Sequence, residues 1–516
     1  MTREGTMDRE KEKGETYHAL LFELDSIQDF IFSTGRLRDV SGASELLDRL
    51  TNRDADDNLL DAVCRAAGLK VSDAPAAGKG EIVFSRRTGG AFYAFGRSED
   101  DLNRLRALWT LAIQKAVPDL AYSLGMGAGE TAAAAFEEAR NALQADSGRL
   151  RSALPVAAPV AERSRRTGLP GVEYDTRGKD GVRDAATVRR KAFADLSSST
   201  FLDRFVPEES SVKWNDWPRD LEPDADDPRR AFPFRGESRI LALVHADGNG
   251  LGLILQALNR AAGSRSDRFI ALYSDFSALV ERVTTRAAKE ATRQVLLPAR
   301  NGGGCLAARP ILLGGDDITL LVRADLAMDY VHHFTEAFEA ASRGELDDLK
   351  RRHDLGDDLP EQLTLGIGLV YLRASQPFRM AVGLAESLTR VAKQAARKID
   401  EKAPPSSVAF YRVTSSLVED YDALMEQTLT HRHGEETFID TLGAYFLGEA
   451  DRSPRLVDLL GLADLLGAEE MARGPARQLL TLMGLDAGEA RARYRRWRTV
   501  MREERPEVLE KFDALM

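Results

Sequence analysis

The stretch Ala308–Arg323, ARPILLGGDDITLLVR, decides how the rest of the chain is read. Two apolar runs rich in Ile, Leu and Val are split by Gly314, Gly315, Asp316 and Asp317, which reads as a buried hairpin with a tight turn. Gly and Asp are also the favoured residues of an ordinary solvated turn, so these letters alone do not distinguish a site from a hairpin end. The distinction has to come from the surrounding chain.

Outward from the hairpin, one order of elements occurs twice. The later copy opens with RILALVHADGNGLG (239–252) and continues into a helix whose Phe269, Leu272, Phe276, Leu279 and Val283 share one face. After the hairpin come a helix near 325–342, the strand QLTLGIGLVYL, the helix MAVGLAESLTRVAKQAARKI and the strand SSVAFYRV. The earlier copy opens with YHALLFELD, ending at Asp25, and is helical over 42–68. It then has the strand pair GEIVFSRRTGGAFYAFG, a helix near 99–115, the strand LAYSLGMGAG and a helix near 131–146. Asp25 precedes Gly89 by 64 positions and Asp247 precedes Gly314 by 67, which supports duplication. In the earlier hairpin Ala91 and Phe92 stand where the aspartates are expected, so one copy reads as equipped and the other as degenerate.

These patterns divide the chain into an N-terminal tail (1–16), a first α+β domain (17–147) and an inserted small domain (148–238) crowded with Pro, Arg and Asp. A second α+β domain (239–415) and a C-terminal bundle that reads as helical throughout (416–516) follow. Length of 516 residues, 43 % hydrophobic and 30 % charged composition are those of a globular multidomain protein. A net charge of -11 excludes a protein that grips nucleic acid with its whole surface, though not local basic patches. Cys64 and Cys305 are too few for a disulfide framework or a cysteine zinc site and suit a reducing cytosol. The start lacks a signal-peptide core and no run of eighteen apolar residues exists, so a cytoplasmic protein without a membrane span is expected.

Asp247 closes a strand and Asp316 and Asp317 sit on a neighbouring turn. Carboxylates crowded at one sheet edge repel by several kcal/mol, on the order of what Coulomb's law gives at low effective dielectric, unless a cation neutralises them. Hard divalent ions take carboxylate and carbonyl oxygens and can clamp an in-line phosphoryl transfer. Gly314 and Gly315 let a triphosphate approach the backbone, and the DGNG turn (247–250) leads into a helix N-terminus that favours phosphate. In outline this is a nucleotidyl-transfer site.

With LDSIQDFIF, RLRDVSGASELLDRL, HADGNGLG, GGDD and AESLTRVAK together, the chain from about residue 17 to 516 resembles the large palm-domain subunit of type III CRISPR effector complexes, the Cas-ten subunit of the Csm and Cmr assemblies. The resemblance implies an α+β fold of two ferredoxin-like palm domains of the nucleotide cyclase and polymerase kind. It implies synthesis of cyclic oligoadenylates from ATP when the complex binds target RNA. Asp247, Asp316 and Asp317 would then be catalytic and hold Mg2+ or Mn2+ with the Gly248 carbonyl. Asn249, Gly314, Gly315 and Lys393 would contact ATP, as would Gly89 and Gly90 of the degenerate palm, where Gly90 is expected to leave open backbone for an acceptor nucleotide. Other effector subunits, guide RNA and target RNA are the implied partners.

Three departures from the family pattern modify these expectations. With about sixteen residues before the first palm and no His-Asp pair among them, no HD nuclease is expected in this chain. The insert keeps a TGLP stretch in AERSRRTGLPGVEYD without cysteines, so no zinc is expected. Asn249 stands where the family often carries a second Asp, and it can hydrogen-bond but adds no charge. His431 and His433 read as an exposed loop and His332 and His333 as structural residues of a helix. Arg397 and Lys398 form a basic stripe with Lys393 that serves a solvated face as readily as a phosphate. The acidic segment 343–362, which makes the hairpin-to-strand spacing 52 against 36 in the first copy, reads as surface variation. The competing readings are a catalytically silent scaffold subunit and a free-standing cyclase of another nucleotide.

Overall fold

A computed structural model describes residues 16–53, 58–73, 79–118, 120–147, 158–175, 181–194, 196, 199–223, 230–300, 304–356, 358–414, 420–433, 436–448, 454–468 and 473–516. Residues 1–15 of the expected N-terminal tail and the DADDPR part of the insert lie outside these residues. The chain forms two compact units, one of residues up to Glu237 with Gly250–Leu363, the other of Ser238–Asn249 with Thr364–Met516.

In the first unit the apolar strand Tyr17–Leu24 lies between Ala91–Gly96 and Tyr122–Gly129, antiparallel to both, and Glu81–Thr88 pairs with Ala91–Gly96 on the far side. This is the ferredoxin-like strand order, with the short strand Lys70–Val71 added at the edge. A central strand is covered on both faces, which is why Ala19, Leu20, Leu21 and Phe22 are all buried. Phe22 stacks on Phe92 at 5.2 Å and meets the edge of Trp109, from the helix Glu99–Ala116, at 5.1 Å. The Ser98 side chain caps that helix by accepting from the Asp101 amide.

The strand Tyr122–Gly129 shows why its glycines are there. A Cβ on Gly125 would lie 1.9 Å from the Ala139 carbonyl oxygen, and one on Gly127 would lie 2.3 Å from the Ala139 amide nitrogen, so the helix Ala132–Asp146 packs directly on bare backbone. The matching strand of the later copy, Leu365–Arg373, repeats the device. A Cβ on Gly368 would lie 1.9 Å from the Ala385 carbonyl oxygen of the helix Phe378–Ile399. The duplication read from element order is therefore also a duplication of packing.

Several elements differ from the sequence expectation. The helical stretch 42–68 is two helices, Leu37–Thr51 and Leu59–Ala66, the second capped by Asn58. The helix expected near 325–342 runs over Ala327–His353 and takes in half of the acidic segment. It continues because Leu346 and Leu349 extend the buried face of Phe334 and Phe338, packed on the helix Ser266–Ala291. The insert contributes a hairpin, Gly171–Tyr174 with Val182–Asp184, and the helix Ala185–Ala194. That helix lies so close to Leu37–Thr51 that a Cβ on Gly42 would stand 1.8 Å from the Arg190 carbonyl oxygen. The buried Arg190 guanidinium lies over Phe30 at 4.2 Å and donates to Ser33 Oγ.

In the second unit Ile240–Gly248 pairs antiparallel with Leu365–Arg373, which pairs in parallel with Ser407–Arg412. The segment after 416 is not helical throughout: Thr430–His433 and Glu436–Ile439 form a hairpin, and Tyr445–Phe446 adds to the edge of Ser407–Arg412. The alternation in TFID favours the hairpin and the edge left open by Ser407–Arg412 favours the strand Tyr445–Phe446; after the short helix Tyr421–Leu424, the longer C-terminal helices begin at Leu456. Among the described residues no helix is long and apolar enough to cross a membrane.

Candidate active site

Asp316 and Asp317 owe their position to turn chemistry. Gly314 pairs with Asp317, leaving Gly315 and Asp316 as a two-residue loop, and Gly315 takes a φ of 62°. Positive φ at the first loop position alone defines a turn that requires glycine there. The Thr284 hydroxyl, buried on Ser266–Ala291, donates to the Gly315 carbonyl at 2.7 Å and holds the turn from below. Arg204 donates to the Leu313 carbonyl at 3.1 Å and pairs with Asp48. Neither Thr284 nor Arg204 carries a motif that singles it out in the sequence.

The earlier hairpin has the same loop length, with Thr88 pairing with Ala91 and both Gly89 and Gly90 at positive φ, 62° and 73°. Counted from the turn, Gly90 and Ala91 hold the places of Asp316 and Asp317. The expected correspondence of Ala91 and Phe92 to the aspartates is thus off by one residue, because strand pairing aligns the hairpins and the letters GG do not.

The two turns meet backbone to backbone inside the first unit. A Cβ on Gly314 would lie 2.6 Å from Gly89 Cα, and one on Gly89 would lie 3.3 Å from Gly314 Cα. Beside this contact is a cleft of about 230 Å3 lined by Glu23, Arg86, Gly89, Gly314, Asp316 and Asp317, among others. Gly90 does not offer the expected open backbone, since a Cβ there would lie 2.7 Å from Leu24 Cδ1 and 3.2 Å from Ile27 Cδ1. Substitution at Gly90 disturbs apolar packing first.

Arg86 is the cation of the cleft and was not among the expected site residues. Its guanidinium donates to the Tyr93 hydroxyl at 3.1 Å and lies 3.9 Å from the Glu23 carboxylate, to which Tyr93 also donates. Burial by itself lowers the Arg86 guanidinium, but Tyr93, Glu23 and Asp316 together hold it above its ordinary value, so the charge is permanent. Burial, with Glu23 adding to it, pushes the Tyr93 hydroxyl up to about 12, and it stays a neutral donor. Arg86 and Tyr93 stand opposite each other on paired strands, a register that no motif in the sequence marks.

Asp247, Gly248, Asn249 and Lys393 belong to the second unit. Lys393 Nζ donates to the Gly248 carbonyl at 2.7 Å and to the Asp247 carboxylate. Its stem crosses Gly366, where a Cβ would lie 2.3 Å from Lys393 Cγ, so Gly366 is the seat that lets the lysine reach the strand end. Asp247 keeps 40 % of its side chain exposed against 16 % for Lys393. Burial holds the neighbouring His245 imidazole below its usual value against the opposing charges of Asp247 and Glu386. Asn249 is buried with its amide donating to Thr364 Oγ1 at 3.1 Å and to the Pro405 carbonyl at 3.4 Å, so the amide expected to contact ATP fastens the loop instead.

Among the described residues no group of three or more His, Cys, Asp and Glu side chains is gathered as a ready metal cage. The donor chemistry at Asp247 nonetheless fits a hard cation. A carboxylate oxygen and a backbone carbonyl oxygen converge on one positive charge, and in this structure that charge is the Lys393 ammonium. Arg397 and Lys398 are exposed on the same helix and do not join Lys393. His431 pairs with Asp440 at 2.8 Å, and His332 and His333 lie near Glu336 at 3.5 and 3.6 Å, so these three have carboxylate partners.

Residues 240–400 match the family model described as Cas10/Cmr2, second palm domain. Solved structures that resemble the chain include a Csm1–Csm4 cassette in complex with cA4, 13 % identical with a TM-score of 0.40, the match covering 74 % of this chain and 53 % of that one. A Csm1–Csm4 cassette in complex with one ATP is 14 % identical with a TM-score of 0.43, over 74 % and 54 % of the two chains. The Csm1–Csm4 subcomplex in the type III-A CRISPR-Csm interference complex is 14 % identical with a TM-score of 0.43, over 75 % and 55 %. The chain thus spans about half the length of the solved chains it matches. No curated protein matches it.

Proposed function

From the match of residues 240–400 to the second palm domain of Cas10/Cmr2, we propose that this chain is the palm subunit of a type III CRISPR effector and joins ATP into cyclic oligoadenylates. The observation that carries the reading is the cleft in which the glycine turns of both repeats meet beside Asp316 and Asp317. A site walled by two related hairpins suits a reaction between two molecules of the same nucleotide. The 3'-hydroxyl oxygen of one ATP attacks the α-phosphorus of the next, the bond to the bridging oxygen breaks, and pyrophosphate leaves.

The chain's own residues divide this work. Asp316 and Asp317 in the first unit, and by themselves Asp247 and the Gly248 carbonyl in the second, are the oxygen donors that would hold Mg2+ or Mn2+. A bound divalent cation supplies charge neutralisation at the reacting phosphate. Gly314 and Gly315 let the phosphates approach the backbone, and Arg86 balances the acids of the cleft. Lys393, whose stem Gly366 seats, would supply positive charge to a triphosphate if a cation took its place on Asp247. Other effector subunits, guide RNA and target RNA are the partners this assignment entails.

Incubation of radiolabelled ATP and magnesium with the assembled complex, with and without target RNA, tests the assignment. Cyclic oligoadenylate is the expected product, and turnover of GTP alone would point to a free-standing cyclase. No product under any condition leaves the scaffold reading. Lys393→Met keeps the stem over Gly366 and removes the charge, so calorimetry should show ATP binding weakened about tenfold, roughly 1.4 kcal/mol, with the melting temperature nearly unchanged. Unaltered ATP affinity would remove Lys393 from the phosphate site.

A further inference from the structure

The backbone contact between Gly89 and Gly314 has no side chains of its own to hold it, so its spacing must be fixed from beside it. One residue before each glycine, a polar group supplies a handle. The Leu313 carbonyl accepts from Arg204 at 3.1 Å, and the Thr88 hydroxyl donates to Glu281 at 3.4 Å. Arg204 and Glu281 in turn form an ion pair at 3.7 Å. A polar chain of Leu313, Arg204, Glu281 and Thr88 therefore runs from one hairpin to the other alongside the glycines.

Each link is anchored. Arg204 follows the short helix Thr200–Asp203 of the insert, with its guanidinium over the buried Phe201 ring at 5.3 Å. It also pairs with Asp48, a buried carboxylate that accepts from the Asn52 amide at 3.0 Å as well. Glu281 stands on Ser266–Ala291 three residues before Thr284, on the same side of the helix. Since Thr284 holds the Gly315 carbonyl, one helix face reaches both turns. Beneath them Asp48, Gly89, Gly90, Phe201 and Leu313 line a void of only about 20 Å3, which leaves either turn little room to shift. The planar fork of arginine serves two directions at once, one nitrogen on Asp48 and the other on Leu313 and Glu281. Lysine carries its charge at a single point and cannot hold both.

We propose that Arg204 and Glu281 are positioning residues that together set the spacing of the two glycine turns. The insert thereby acts on the cleft through the backbone of Leu313. In the nucleotidyl transfer proposed above, on which the consequence for turnover rests, that spacing sets the distance between the two nucleotides that react. A misplacement of reacting groups by about 1 Å costs on the order of 10^2 in rate.

Hydrogen exchange of the full chain without ATP tests this, read on peptides covering 84–92 and 308–316. Glu281 is 28 % exposed and lies on neither hairpin, so Glu281→Ala should keep the fold by circular dichroism. Both peptides should nonetheless exchange about fivefold faster. Arg204→Lys should do the same, and adding Glu281→Ala to it should contribute less than about twofold more, because either change already breaks the chain. Unchanged exchange, acceleration confined to 84–92 in Glu281→Ala, or effects that multiply in the double variant would each overturn the proposal. In the assembled complex both single variants should lower kcat for ATP about tenfold and leave KM within about twofold. A raised KM at unchanged kcat overturns the spacing role. Exchange is read without nucleotide, so a complex that makes no oligoadenylate counts against the proposed function alone, and the exchange result still decides for or against the two residues.

Discussion

Asp316→Ala with Asp317→Ala should abolish ATP polymerisation, with product falling by on the order of 10^3 or more, about 4 kcal/mol of lost transition-state stabilisation. The fold should survive. Both residues line the cleft, the turn is set by Gly315 and held by Thr284, and Arg86 keeps Glu23 and Tyr93 as partners when Asp316 is gone. Removing two acids from one turn also relieves their mutual repulsion, so the melting temperature should change little. Chromatography of products from labelled ATP, beside thermal melting of both proteins, measures the two halves of this expectation. Equal product from wild type and variant would sink the catalytic assignment, whatever the melting curves show.

The second large effect is structural. Gly314→Ala places a Cβ 2.6 Å from Gly89 Cα, and the obstruction is backbone, which cannot rotate away as a side chain can. The hairpins must separate, and we expect a loss of about 2–4 kcal/mol in stability together with loss of nucleotide binding in the cleft. Gly315→Ala is the matched control. Nothing lies within 4 Å of its Cβ, so only the positive φ of 62° resists, a cost of about 1 kcal/mol. Denaturant melts should rank Gly314→Ala well below Gly315→Ala. The reverse order would mean that the two turns do not meet as described.

The hairpins were legible because their information is local. Glycines between β-forming runs mark a tight turn without fixing which residues form it, and the repeated order of elements marks the duplication without any knowledge of packing. Asp316 and Asp317 at a turn and Asp247 at a strand end followed from the same short-range patterns. What those patterns did not contain is register and reach. The one-residue offset between the GG pairs appears only when cross-strand partners align the turns, Thr88 with Ala91 and Gly314 with Asp317. The length of Ala327–His353 was decided by buried leucines meeting another helix, which overrode the acidic composition of the segment.

The determinants of the site itself are longer in range still. Lys393 meets Asp247 across 146 positions, and it does so because Gly366 has no side chain to block its stem. Gly89 and Gly314 touch because neither has a Cβ, a requirement that each glycine's own neighbourhood satisfies equally well as a turn. Arg86 becomes the cation of an acidic cleft only through Glu23, Tyr93 and Asp316, which come from three separate strands or turns. Sequence by itself determined the repeat, the turns and the acids, since local backbone preference and periodicity are written into neighbouring residues. Tertiary structure alone decided which glycines are contacts, which cation neutralises which carboxylate and which asparagine is a fastening, because those depend on distances between residues that the chain brings together only on folding.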